Sequence, residues 1–223
     1  MAVIHPTTLS PSKLELLAAW LPAQSWYAAA GQEPELARAG GFRLDDPDGE
    51  VGIEFAVLTD RQGERLAYLF PLSYRGAPLA GAEHALIGTA EHGVLGQRWI
   101  YDGAHDPVLV TQLLAALHGR AEPQAQSVSD TPDRSVLIRP AGTAEPRSIG
   151  SMSVTGGADV TDVALETVAD GRPARHILRL IRVLRPAADS AAPAGSVTAG
   201  WVLPDGTTRR GLFATLTQAP SSG

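Results

Sequence analysis

Apolar residues recur along this chain in two rhythms. Leu14, Leu17, Ala18 and Leu21 follow the i, i+3, i+4, i+7 spacing of one buried helical face. Ser10 stands where a cap belongs, Pro11 suits the first helical turn, and Pro22 stops the pattern. The same grammar returns at Asp106 and Pro107. Val110, Leu113, Leu114 and Leu117 then form the stripe, and Gly119 closes it. Between these helices the period falls to two. Val51, Ile53, Phe55 and Val57 alternate with Gly52, Glu54 and Ala56. After a turn at Asp60, Arg61, Gln62 and Gly63, alternation resumes at Leu66, Tyr68, Phe70 and Leu72. This predicts a β-hairpin with one face on a core. A strand ending at residues 42–44 precedes it, closed by the acidic turn 45–49. Shorter strands are expected at 85–89 and 97–101.

From residue 122 to about 147 the composition shifts to Gln, Ser, Asp, Thr and Pro, with one apolar island at Val136, Leu137 and Ile138. This reads as a linker. Strand signals follow. Residues 148–154 and 160–168 can pair. Residues 177–184 are apolar on both faces, interrupted by Arg179 and Arg182, as in a central strand. A second hairpin runs through Val197, Ala199, Trp201 and Leu203, turns at Pro204, Asp205 and Gly206, and returns over 211–217. The stretch 187–195 reads as a flexible loop. The expected class is α+β. A curved antiparallel sheet packed on one or two helices spans 1–121, a linker spans 122–147, and a second small antiparallel β-region spans 148–218.

The 223 residues include no cysteine, 23 Gly and 17 Pro, and carry a formal net charge of −6. Without cysteine there is no disulfide framework, thiolate metal site or cysteine nucleophile. The acidic balance argues against nucleic acid or an anionic membrane as the main partner. No apolar run approaches the length that spans a bilayer, and no secretory signal pattern opens the chain, so a cytoplasmic protein is the expectation. Residues 221–223 read as a disordered end. Of the 18 Lys plus Arg, only Lys13 is lysine. Any chemistry that needs a lysine must use it.

Six histidines offer candidate metal chemistry. Glu83-His84 and Glu91-His92 form a repeated pair, and His105 lies between Asp102 and Asp106. Imidazoles beside carboxylates suit zinc or a similar ion. Neighbouring residues diverge on a strand or helix, however, so this is not the H-E-x-x-H pattern that aims two ligands from one helical face. A metal-dependent enzyme using His84, His92 and His105 stays open as an alternative. The glycines at 88–96 and 150–157 fit neither a dinucleotide fingerprint nor a Walker A loop. No serine occupies a G-x-S-x-G elbow. The acids at 45–50 belong to a turn, where they bond their own backbone and face water. Among the tryptophans, Trp26 with Tyr27 is the pair expected to be partly exposed, as a contact for a saccharide or a partner.

Leu21 to Tyr27 resembles the opening of the N-terminal cap of actinobacterial maltokinases. Trp26 and Tyr27 match the family's aromatic pair, although Ser25 replaces its arginine and no lysine follows. Tyr68, Leu69, Phe70, Pro71 and Leu72 resemble a strand of that cap. Tyr101, Asp102, Gly103, Ala104, His105, Asp106 and Pro107 resemble the approach to its later helix. The likeness covers roughly residues 8–120. A further stretch, from His176 to Pro186, is similar to the kinase N-lobe strand that carries a nucleotide-binding lysine, with Arg179 in that position.

The resemblance implies a cap-like part followed by an N-lobe-like part, without the C-lobe that holds the catalytic and metal-binding aspartates of phosphoryl transfer. Arginine does not replace a phosphate-pairing lysine at a tight site. The implied function is a non-catalytic module that binds a maltokinase-type enzyme, another protein of trehalose or α-glucan metabolism, or a saccharide. No catalytic residue, cofactor or metal is assigned. A nucleotide-binding pseudokinase fragment around Arg179 is the other alternative.

Overall fold

The computed structural model describes residues 9–28, 33–61, 66–128, 130–142, 148–169 and 172–219. Part of the expected hairpin turn (Gln62 and Gly63), the end of the linker (143–147) and the tail 221–223 lie outside them. In chain order the strands are β1 (Leu9–Ser10), β2 (Leu36–Leu44), β3 (Gly52–Asp60), β4 (Ala67–Arg75), β5 (Leu86–His92), β6 (Gly96–Asp102), β7 (Leu137–Arg139), β8 (Ser148–Gly156), β9 (Val160–Ala169), β10 (Arg172–Ile181), β11 (Val183–Leu184), β12 (Ser196–Val202) and β13 (Thr208–Gln218). The helices are α1 (Lys13–Trp20) and α2 (Pro107–Leu117).

Ser12, rather than Ser10, caps α1. Its hydroxyl accepts from the Glu15 amide, and the Glu15 carboxylate accepts from the Ser12 amide. This reciprocal box satisfies two donors that a helix start leaves unpaired. Ser10 is instead held in β1 against β5. At α2 the expectation is met: Asp106 accepts from the Val108 amide, Pro107 opens the helix, and Gly119 follows it at φ +75°.

All strand pairings are antiparallel, in the order β1-β5-β6-β4-β3-β2-β12-β13-β10-β9-β8. Two short strands leave this path. β7 adds to β12, and β11 returns to β4 by pairing Val183 with Tyr68 and Leu184 with Ala67. The return curls the sheet, so that strands from both ends of the sequence face one core. That core joins Phe42, Ile53, Phe55 and Leu69 to Leu113 and Leu117 of α2 and to Val163, Leu178, Leu180, Trp201 and Phe213. Phe42 stacks on its cross-strand neighbour Phe55, with centroids 4.6 Å apart and rings 12° from parallel.

The opposite face of β3 and β4 is buried as well. Ala56, Leu58, Tyr68, Phe70 and Leu72 pack with Leu17, Leu21, Trp26 and Tyr27 from α1 and the turn after it. The hairpin therefore carries a core on each face, not one. Period two marks two distinct environments, and here both are apolar across residues 55–58 of β3 and 67–72 of β4. Gly41 records how closely β2 approaches β3: its φ is +127°, and a Cβ there would lie 2.1 Å from the Phe55 carbonyl oxygen.

The connection after α2 is bonded to the sheet. Arg43 and Gln124 exchange two backbone hydrogen bonds of 2.9 Å, and the apolar island becomes β7. No helix among the described residues is long and apolar enough to cross a membrane.

Candidate functional site

Trp26 and Tyr27 follow the short helical turn Leu21–Ala23 that ends α1. Both are about 5% exposed, so the expected partial exposure is not found. Trp26 meets Phe70 edge-on at 5.6 Å and Tyr68 at 5.9 Å. The Tyr27 hydroxyl donates to Asp60 Oδ2 at 2.6 Å, and the other Asp60 oxygen accepts from the Glu35 amide. Burial pushes the Tyr27 hydroxyl well above its ordinary pKa, and the Asp60 carboxylate adds to the shift. Pro22 turns the chain back over the sheet, which brings these rings onto β4 instead of into solvent.

The Trp26 ring also covers the guanidinium of Arg182, whose Cζ lies 5.4 Å from the ring centroid. Arg182 is 1% exposed. It occupies the single position between β10 and β11. Its Nη2 donates to both Asp102 oxygens at 2.8 and 2.6 Å, and its Nε donates to the Thr161 hydroxyl at 2.8 Å. Asp102 also accepts from the Ala104 amide. A charge removed from water needs a partner of this kind. In the sequence Arg182 stands only as an interruption of an apolar run. The two arginines of that run part ways. β10 buries His176, Leu178 and Leu180 on one face and leaves Arg179 exposed on the other. The run is therefore apolar to the core on one face only, while Arg182, just past the strand, is buried and needs its carboxylate. Asp106, fully buried, receives a two-bond contact from Arg75 at 2.6 and 2.7 Å. Burial alone would raise its pKa, but the Arg75 contacts and the Val108 amide outweigh that and hold it below the usual aspartate range.

The three candidate metal ligands do not meet. β5 and β6 pair in a register that sets Leu86 opposite Tyr101, so the helical turns just outside them, Glu83–Ala85 and Gly103–His105, lie side by side. His84 Nε2 and His105 Nδ1 are consequently 3.1 Å apart. His92 is at the other end of β5, about 20 Å further along a seven-residue strand. Its Nδ1 accepts from the Val94 and Leu95 amides. Among the described residues no three His, Asp or Glu side chains are grouped to hold an ion. The three-histidine centre is thus corrected to a pair. Burial lowers the His105 pKa, with Asp102 opposing.

Lys13 Nζ contacts Glu54 Oε1, while Tyr74 and Gln126 also donate to that carboxylate at 2.7 and 2.8 Å. Burial opposes the Glu54 charge, but Lys13 prevails and lowers its pKa. Arg179 donates to both oxygens of Asp162 at 2.7 and 2.8 Å on an exposed part of the sheet. Asp46, from the acidic turn, accepts from the Asp48, Glu50 and Val51 amides as turn chemistry predicts, yet it is buried rather than facing water.

A concavity of about 320 Å³ opens where β4 begins and β11 ends. Leu66, Ala67, Leu184, Pro186 and Leu203 form its apolar wall, with Trp201, Arg185 and Arg209 beside them. Arg185 reaches Asp159 at 3.1 Å.

The elements that carry Trp26, the β3–β4 hairpin, Asp102 and Asp106 form one contiguous stretch of sequence. Residues 20–106 match the family model of the maltokinase N-terminal cap domain. No curated protein matches the chain. Within the matched segment, Trp26 covers Arg182, Asp102 binds it, and Asp106 caps α2.

Proposed function

We propose that the chain is a non-catalytic, cap-like module that acts by binding a maltokinase-type enzyme of maltose or trehalose metabolism, in the cytoplasm. The match of residues 20–106 to the cap domain of such kinases carries this reading. Two contacts support the absence of phosphoryl transfer by these residues. The sole lysine is engaged by Glu54, and Arg179, in the position that resembles a nucleotide lysine, is held by Asp162. Neither is free to neutralise a phosphate, which such transfer requires.

Size-exclusion chromatography with light scattering, on the purified chain mixed with a maltokinase-type kinase, tests the reading. A stoichiometric complex is expected, together with no sugar phosphorylation by the chain alone in magnesium and ATP. Separate elution of the two proteins, or turnover by the isolated chain, overturns it.

The concavity beside Trp201 favours a second reading, in which the module holds a saccharide. An apolar wall with an indole and two guanidinium groups suits a sugar's apolar face and its hydroxyls. Calorimetry with maltose, trehalose and glucosamine is expected to show binding that weakens in Arg209→Ala. Absence of heat with all three sugars removes this reading.

A further inference from the structure

The β5–β6 hairpin brings together two imidazoles that lie 21 residues apart in sequence. Their facing nitrogens, His84 Nε2 and His105 Nδ1, are 3.1 Å apart, and the rings meet nearly at right angles, at 86° with centroids 4.7 Å apart. We propose that His84 and His105 form a binding site for one divalent transition-metal ion of the zinc, nickel or copper class.

The geometry carries the proposal. Imidazole nitrogens bind zinc at about 2.0–2.1 Å, so two nitrogens separated by this distance subtend about 100° at a shared ion. That angle lies between the right angle of tetragonal coordination and the tetrahedral angle. In the absence of metal, an N–H of one ring donates to the lone pair of the other. When an ion takes that place, the bridging proton moves through solvent to the ring's other nitrogen. Both rings then remain neutral ligands.

The backbones that carry the rings are fixed. Ala82, Ala85 and Tyr101 form a small buried cluster beneath the first turn. Ala104 is fully buried in the second turn, where its amide donates to Asp102. The Tyr101 hydroxyl accepts from the Leu79 amide and ties the preceding loop to the same strand. His84 is exposed and His105 half-buried, which gives an ion access from solvent.

Among the described residues no third side chain completes the set, and the Asp102 carboxylate is taken by Arg182 and Ala104. Water would fill the other positions. Two imidazoles without a carboxylate select nitrogen-preferring ions over magnesium and calcium.

The test is a zinc titration of the untagged full chain, followed by long-range proton–nitrogen correlation of the histidine rings. The ring signals of His84 and His105 are expected to move together and saturate at one ion per chain, while those of His92, His118 and His176 stay in place. Calorimetry is expected to show zinc binding weakened at least tenfold in His84→Gln and in His105→Gln, and unchanged in His92→Gln. Magnesium should move none of the rings. Rings 84 and 105 that stay unmoved through millimolar zinc reduce the pair to a hydrogen bond between imidazoles and overturn the proposal. Zinc affinity undiminished in either variant does the same. The spectra of the unsubstituted protein decide the matter even if a variant fails to fold.

Discussion

Arg182 shows how a single side chain joins distant parts of this sequence. It leaves an apolar run of the C-terminal half and ends on Asp102 and beneath Trp26, both within the residues that match the maltokinase cap model. Removing one member of a buried ion pair strands the other charge, at a cost of about 3–5 kcal/mol. Asp102→Ala is therefore expected to lower unfolding free energy by that amount in urea titration. Replacing both residues by apolar ones, Asp102→Leu with Arg182→Met, is expected to restore much of the loss, because no charge then remains in the interior. A double variant as unstable as the single one would mean that shape, not charge, governs the joint. Trp26 and Tyr27 teach the opposite lesson from the same place. Their presence as an aromatic pair was legible in the sequence, but their burial was not, because only the fold brings β4 beneath them.

The elements were largely readable. Helix α2, the β3–β4 and β12–β13 hairpins and the pairing of β8 with β9 follow from period and punctuation alone. The cap of α1 was misplaced by two residues because Ser10 and Ser12 flank Pro11 with similar local credentials. Only the pairing of Ser10 with β5 separates them. Two predictions belong to this scale. Gly41→Ala is expected to destabilise by at least about 2 kcal/mol in chemical denaturation, since a Cβ meets the Phe55 carbonyl at a backbone angle that L side chains avoid. Asp106 makes α2 pH-dependent. An aspartate held below its unfolded range contributes stability that is present above about pH 4 and is lost as pH falls through the folded value. Asp106→Asn keeps a capping side chain but not the charge. Its stability deficit against the unsubstituted protein should be largest near neutrality and close below about pH 4. A deficit that stays constant across that range would assign the effect to the cap rather than to the Arg75 pair.

At the scale of the whole molecule, one core draws on strands from both halves of the sequence, and β11 fastens the later half to β4. A single cooperative transition is expected in calorimetry, with fragments 1–121 and 148–223 unable to reproduce it when mixed from separate preparations. Two resolved transitions would show that the halves fold independently. The sequence by itself determined the helices, the alternating strands, the absence of cysteine chemistry and the likeness to the maltokinase cap. These depend on residues close together along the chain, where spacing translates directly into a face or a turn. The tertiary structure alone decided that both faces of the central hairpin are buried, that Arg182 meets Asp102, and that His84 meets His105 while His92 stands apart. Those outcomes depend on strand register and on the curl of the sheet. Both arise from packing energy summed over many distant residues, which no local pattern records.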